Sequence, residues 1–141
     1  MCIRDRMKIR QENIENFYPT MLKWADAHMF ALPDRTLMPW DMFVLSDDEG
    51  VDKYCVGLWI ASHVAITAFP LSNIEAKPSV KNLYKLYEYL EEYIKKLNKL
   101  EEYNIHIFWT TAGKDGYKKF LEKNKWIKTL TCEDHFVKVI N

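Results

Sequence analysis

The sequence predicts a mixed α+β (α/β) domain, a mostly antiparallel twisted sheet with helices on both faces, and three observations predict it. Runs rich in β-branched and aromatic residues at 42–45, 54–60 and 64–69 follow one another with short polar breaks between them. Two longer stretches instead repeat apolar residues every three or four positions, the period of a helix with one buried face. The longer of these lies between the third run and the next, 105–109, and strands joined across a helix favour a parallel pairing.

Taken in order, residues 7–11 form a short extended segment. Ile14, Phe17, Met21, Trp24, Ala25 and His28 then line one helical face. Pro19 falls inside that pattern, so the helix is expected to start near it or bend there. Pro33 and Pro39 bracket an irregular link. Residues 42–45 and 54–60 form a hairpin across the polar turn 46–50, and 64–69 adds a third antiparallel strand. Pro70 has no N–H to give a sheet, so the strand there is expected to lie at an edge, bulge, or part from its neighbour. The longest helix opens at Ser79, with Val80, Leu83, Tyr87, Leu90, Ile94 and Leu97 as its apolar stripe and lysines and glutamates on the rest. The stripe is too short and too rich in tyrosine for a coiled coil. Residues 117–124 make a short helix, and 126–131 and 135–140 two closing strands.

A chain of 141 residues, 48% hydrophobic, suffices for one core and is short for two. Lys plus Arg and Asp plus Glu are 20 each, so no overall field recruits nucleic acid or an anionic membrane. No apolar run reaches the length of a membrane span. Cys2, Cys55 and Cys132 are odd in number and far apart, fitting neither a disulfide framework nor a zinc pattern, and a cytoplasmic compartment is expected. Met1 to Arg6 read as a non-native, sequencing-adapter-derived leader, leaving 7–141 as a single domain.

From residue 42 to 140 the chain resembles the GNAT (Gcn5-related N-acetyltransferase) superfamily, in particular its short phage-type members. The resemblance rests on Gly57 in a central strand, on Ser72 and Asn73 leaving the next strand before a loop and long helix, and on 110–127. There Thr110, Thr111, Tyr117, Phe120 and Leu121 precede Glu122, Lys123 and Asn124 at the close of a short helix. It implies a GNAT-like sheet with a splayed central strand pair. It also implies acetyl-CoA or another acyl-CoA as cofactor, and a small-molecule or peptide amine as acceptor attacked directly in a ternary complex. Nucleic acid, membrane and metal play no part in this reading.

The resemblance assigns cofactor binding to the strand end and loop at Phe69, Leu71, Ser72 and Asn73, to Lys77, Ser79, Val80 and Lys81 where the long helix begins, and to Thr110 and Thr111. Unpaired backbone groups would hold the amide-rich pantetheine arm like an added strand. Free N–H groups at the helix start would receive the pyrophosphate. The loop from Glu75 to Lys81 has no glycine, which hinders close backbone approach, and Lys77 and Lys81 are its charge. Acyl transfer also needs a base and an acid. Leu121 stands where the family keeps its acidic tyrosine, and 64–71 contain no carboxylate. Tyr117 becomes the candidate acid, and His63, with Glu75 and His135 behind it, the candidate base. The competing expectation is a catalytically degenerate module that binds CoA or another protein.

Two further patterns have plainer readings. Gly113 to Gly116 match a GXXG nucleic-acid loop but follow a strand, so a tight turn explains them. Cys55, beside Val56 and Gly57, is expected to be a small buried hydrophobe.

Overall fold

The computed structural model describes residues 7–100, 103–111, 115–129 and 135–140. The leader assigned to Met1 to Arg6 lies outside the described residues, as do Cys2 and Cys132. Elements follow in the order β1 (Lys8–Asn13), α1 (Ile14–Ala27), β2 (Asp41–Ser46), β3 (Asp52–Ala61), β4 (Val64–Ser72), α2 (Val80–Leu100), β5 (Ile107–Thr111), α3 (Asp115–Lys123), β6 (Ile127–Lys128) and β7 (His135–Val139). The strands hydrogen-bond in the order β1-β2-β3-β4-β5-β7-β6, mostly antiparallel, with β4 and β5 parallel across the crossover helix α2. This is the mixed sheet the sequence predicts.

The chain divides into two compact units, one holding residues up to 58 with 68–87, the other 59–67 with the chain from 88 onward. In the first unit β1 pairs with β2 from Lys8↔Ser46 to Asn13↔Asp41, and β2 with β3 from Met42↔Gly57 to Ser46↔Asp52. The turn from strand to helix is immediate. Asn13 ends β1 and caps α1, its side chain accepting from the Glu15 amide at 2.7 Å, and the Ile14 amide reaches the Trp40 carbonyl at 2.9 Å. Ile14, Phe17, Met21 and Trp24 from α1 form one buried cluster with Met42, Val44, Cys55 and Leu71.

The helix begins at Ile14 and continues through Pro19 instead of starting there. Pro19 lacks the N–H that would bond the Glu15 carbonyl, and the buried face on both sides of it offsets that loss. The end of α1 is a Schellman motif: Met29 N–H donates to the Asp26 carbonyl at 2.9 Å and Phe30 N–H to the Ala25 carbonyl at 2.8 Å. Met29 occupies the left-handed position, φ 57°, that glycine usually takes.

The strand predicted to end at Phe69 instead continues to Ser72. It does so through a left-handed Phe69, φ 52°, immediately before Pro70. The residue before a proline is already restricted, so this conformation marks a bulge that the packing of Phe69 against the α1 cluster holds in place.

In the second unit the parallel ladder joins Val64↔Ile107, Ala65↔Phe108 and Ile66↔Trp109, and β5 continues antiparallel against β7. Phe108, Thr110, Phe136 and Lys138 share one face by that register, and Lys138 pairs with Glu91 of α2 at 2.8 Å. That face is therefore the one α2 covers. Phe108 also stacks on Trp126 beyond α3, with ring centroids 4.9 Å apart. Among the described residues no helix is long and apolar enough to cross a membrane.

Candidate functional site

The resemblance concentrates its cofactor residues on the end of β4 and the start of α2, and the first unit brings these together. After the bulge, Leu71 turns into the α1 cluster and is buried. Its backbone amide faces the Cys55 sulfur, and burial, the larger influence, pushes that thiol up far enough to make it an inert core group. Phe69 is half-buried with its ring 6.5 Å from that of Phe30. Asn73 leaves the strand with its amide on the Lys53 carbonyl and its side chain on the Asp52 carbonyl, both at 2.9 Å.

The loop that follows is a short 3-10 turn, Ile74–Ala76, closed by Lys77 in the left-handed region at φ 50°. A lysine thus takes the turn that the missing glycine would have made. Lys53 holds the loop from below, its ammonium donating to the Ala76 carbonyl at 2.5 Å and lying 3.7 Å from Asp47. The Tyr54 hydroxyl donates to the Ser79 carbonyl at 3.0 Å, and Asn82 N–H reaches the same carbonyl at 3.1 Å. Burial raises the Tyr54 pKa, which keeps it a donor.

Ser79 and Lys81 are exposed and line an open depression of about 540 Å³ with Asn82, Lys85, Met7 and the aspartates Asp47 and Asp48 of the β2–β3 turn. The backbone of Val80 begins α2 there; its side chain lies outside the described residues. The first turn of a 21-residue helix thus lies at a depression that two lysines line. The facing Asp47 carboxylate is engaged by the amides of Val51 and Glu49, each at 2.9 Å, which hold its pKa below the usual range.

The remaining predicted residues belong to the second unit. Thr110 is fully buried, and its hydroxyl and that of Thr67 hydrogen-bond at 2.7 Å just past the end of the parallel ladder. Thr111 is exposed and pairs across the sheet with His135, whose Nδ1 accepts from the Trp109 indole at 3.0 Å. His63 sits in the turn that begins β4, at the opposite end of the strand from Ser72. Its Nδ1 donates to the Asn104 carbonyl at 2.8 Å, and its ring lies 5.6 Å from that of His106. Glu75 is exposed on the 3-10 turn. The backbone of Tyr117 is in α3, and its side chain lies outside the described residues. Among the described residues no three His, Cys, Asp or Glu side chains gather as a metal centre would need.

One residue at this site was not singled out by sequence reasoning. His28, at the C-terminal end of α1, places Nε2 3.0 Å from both the carbonyl and the hydroxyl of Ser72. The available signal was a polar side chain at the apolar spacing of an otherwise buried helical face.

No protein-family profile and no curated protein matches the chain. Solved structures do. A candidate N-acetyltransferase from Lactobacillus plantarum superposes with a TM-score of 0.72 at 14% identity, covering 96% of this chain and 99% of that one. A GNAT-family acetyltransferase from Staphylococcus aureus Mu50 gives 0.71 at 10% identity, with 96% and 99% covered. N-acetylglutamate synthase from Neisseria gonorrhoeae, solved with coenzyme A and L-arginine, gives 0.65 at 11% identity. There 96% of this chain spans 33% of the longer protein. At these identities the likeness establishes the fold: the chain has the GNAT fold.

Proposed function

We propose that this chain binds an acyl-CoA along β4 beyond its bulge and at the first turn of α2, and transfers the acyl group to an amine by direct attack in a ternary complex. The observation that carries the reading is the left-handed Phe69 before Pro70 near the end of β4, a strand that runs through a short loop into the first turn of the long helix α2. In this reading Phe69, Leu71, Ser72 and Asn73 flank the pantetheine arm. The amides of Ser79, Val80 and Lys81 receive the pyrophosphate, with Lys77 and Lys81 adding positive charge. The bound acyl-CoA supplies an activated thioester carbonyl. What the chain contributes is position, charge compensation and a route for the amine's proton. The acceptor is a small molecule or a peptide, and the compartment the cytosol.

A second reading, a CoA-binding or protein-binding module without catalysis, draws support from the absence of any carboxylate between residues 64 and 71. Calorimetric titration with acetyl-CoA and separately with CoA tests the first step. Micromolar binding that falls at least roughly tenfold in a Lys77→Ala, Lys81→Ala double variant supports the site. No heat at millimolar ligand removes both the enzyme and the CoA-binding module. Binding without CoA release across an amine panel leaves the module.

A further inference from the structure

We propose that His28 is the group that accepts the proton of the attacking amine, oriented for that task by Ser72. The inference rests on the acyl-transfer reading above and adds to it the base that β4 itself lacks.

Backbone geometry fixes where the imidazole begins. His28 is the last residue before the left-handed Met29, and its own N–H is satisfied within α1 by the carbonyls of Trp24 and Ala25 at 3.2 and 3.1 Å. The Schellman bonds of Met29 and Phe30 then hold the chain on the far side. From this point the ring reaches Ser72, on the stretch of β4 beyond the bulge that the reading gives to the pantetheine arm.

Hydrogen bonding then fixes the tautomer. A backbone carbonyl only accepts, so the 3.0 Å contact with the Ser72 carbonyl requires Nε2 to carry the proton. The neutral ring therefore keeps its lone pair on Nδ1, which has no hydrogen-bond partner among the described residues. The Ser72 hydroxyl, also 3.0 Å from Nε2, strengthens the orientation. His28 takes part in no ion pair among the described residues. Asp26 is the acidic group on its own turn of α1, and Pro70, Leu71 and Ser72 bring no charge from the strand side.

The surroundings favour an amine carried on an apolar frame. The rings of Phe30, two residues after His28, and Phe69, three before Ser72, lie 6.5 Å apart, while Met29 is 96% and Phe30 48% exposed. The step balances without another reagent. The amine nitrogen bonds to the thioester carbonyl carbon, its surplus proton passes to Nδ1, and the carbon–sulfur bond breaks. The thiolate then takes a proton from water, and His28 returns its proton to water.

The test combines three readouts on the full chain. Acetyl-CoA titration of wild type and His28→Gln comes first; equal binding by both keeps the cofactor site apart from the base. Transfer to 2-phenylethylamine is then followed against pH, with hydrolysis of bound acetyl-CoA as the substitute if that amine is refused. Wild type should lose rate as pH falls, because the base must be neutral to accept a proton. His28→Gln should lose roughly 100-fold at high pH together with that pH dependence. Ser72→Ala, which keeps the carbonyl, should lose about tenfold or less. Unchanged rate and pH profile in His28→Gln would overturn the proposal. The third readout is the ring nitrogen shifts of His28 by NMR in the free protein, which need no activity. A proton on Nδ1 in the neutral ring rejects the assignment. Failure of wild type to bind acetyl-CoA is a different result and overturns the acyl-transfer reading itself.

Discussion

The two units of this chain cover their strands differently, and the burial of consecutive residues records it. In the first unit every residue of β2 from Met42 to Ser46 is buried. Successive side chains on a strand point to opposite faces, so both faces must be covered. α1 supplies one cover through Met42, Val44 and Cys55. In the second unit burial alternates. Phe108, Thr110 and Phe136 are buried while Ile107, Trp109 and Val137 are only partly so, and Ile127 and Val139 are 61% and 62% exposed. One face lies under α2, and the other carries apolar side chains with much of their surface in water. A strand covered on both sides tolerates no substitution easily, whereas a strand covered on one side is sensitive at every second position.

Paired truncations break or sharpen that contrast, and they have the largest expected effects. Phe43→Ala should cost about 3–5 kcal/mol, and its neighbour Val44→Ala about 2 kcal/mol. In β7, Phe136→Ala should again cost about 3–5 kcal/mol, but Val137→Ala less than about 1 kcal/mol. Denaturant unfolding monitored by tryptophan fluorescence measures all four. A Val137→Ala loss equal to that of Val44→Ala would mean that the second face in β7 is covered after all.

A smaller effect is expected where the first unit is so closely packed that even a methyl group does not fit. A Cβ on Gly57 would stand 2.7 Å from the Pro39 ring and 2.8 Å from the Met42 sulfur. The methionine can move, but the ring cannot readily, so Gly57→Ala should lose about 1–3 kcal/mol. Gly50, in the β2–β3 turn, meets nothing within 4 Å. Gly50→Ala should therefore cost only about 1 kcal/mol, from its φ of 84°. Equal thermal shifts in the two variants would reject crowding as the cause at Gly57.

The same contrast explains what was legible in the sequence. Runs such as Met42 to Leu45 announce strands by composition alone, and the 3.6-residue period of Leu83, Leu90 and Ile94 announces α2. Local propensity misled at the prolines. Pro19 suggested a helix start or bend, and 64–69 read as the extent of a strand that Pro70 would set at an edge, bulge or part, yet α1 begins before Pro19 and β4 runs on to Ser72, with Phe17, Met21 and Phe69 packed in one cluster. For the candidate site, the loop and helix start were legible because they are contiguous in sequence. The pairing of His28 with Ser72 was not, since nothing local links the end of α1 to the end of β4. His63 attracts attention as a titratable group next to a strand, but sequence proximity alone does not say what it faces.

The smallest expected effect concerns acid, and it too should separate the units. The two described carboxyls whose pKa values are lowered, Asp34 and Asp47, both lie in the first unit. Asp47 is held down first by the Val51 amide, then by the Glu49 amide and by the charge of Lys53; Asp34 is held down by the amide and hydroxyl of Thr36. A carboxyl lowered in the folded state stabilises it above the ordinary carboxylate range, and that contribution disappears as pH falls through the folded-state value. Hydrogen exchange of the Glu49 and Val51 amides should therefore quicken as pH drops below about 4, relative to the intrinsic rate, while the Ile107 amide, bonded to the His63 carbonyl, keeps its protection. Asp47→Asn keeps an oxygen able to accept from both amides but cannot be protonated in this range. It should begin slightly less protected near neutral pH and lose less on acidification. Parallel acid loosening of both regions in wild type and variant alike would show that the turn carboxylates are not what acid releases first.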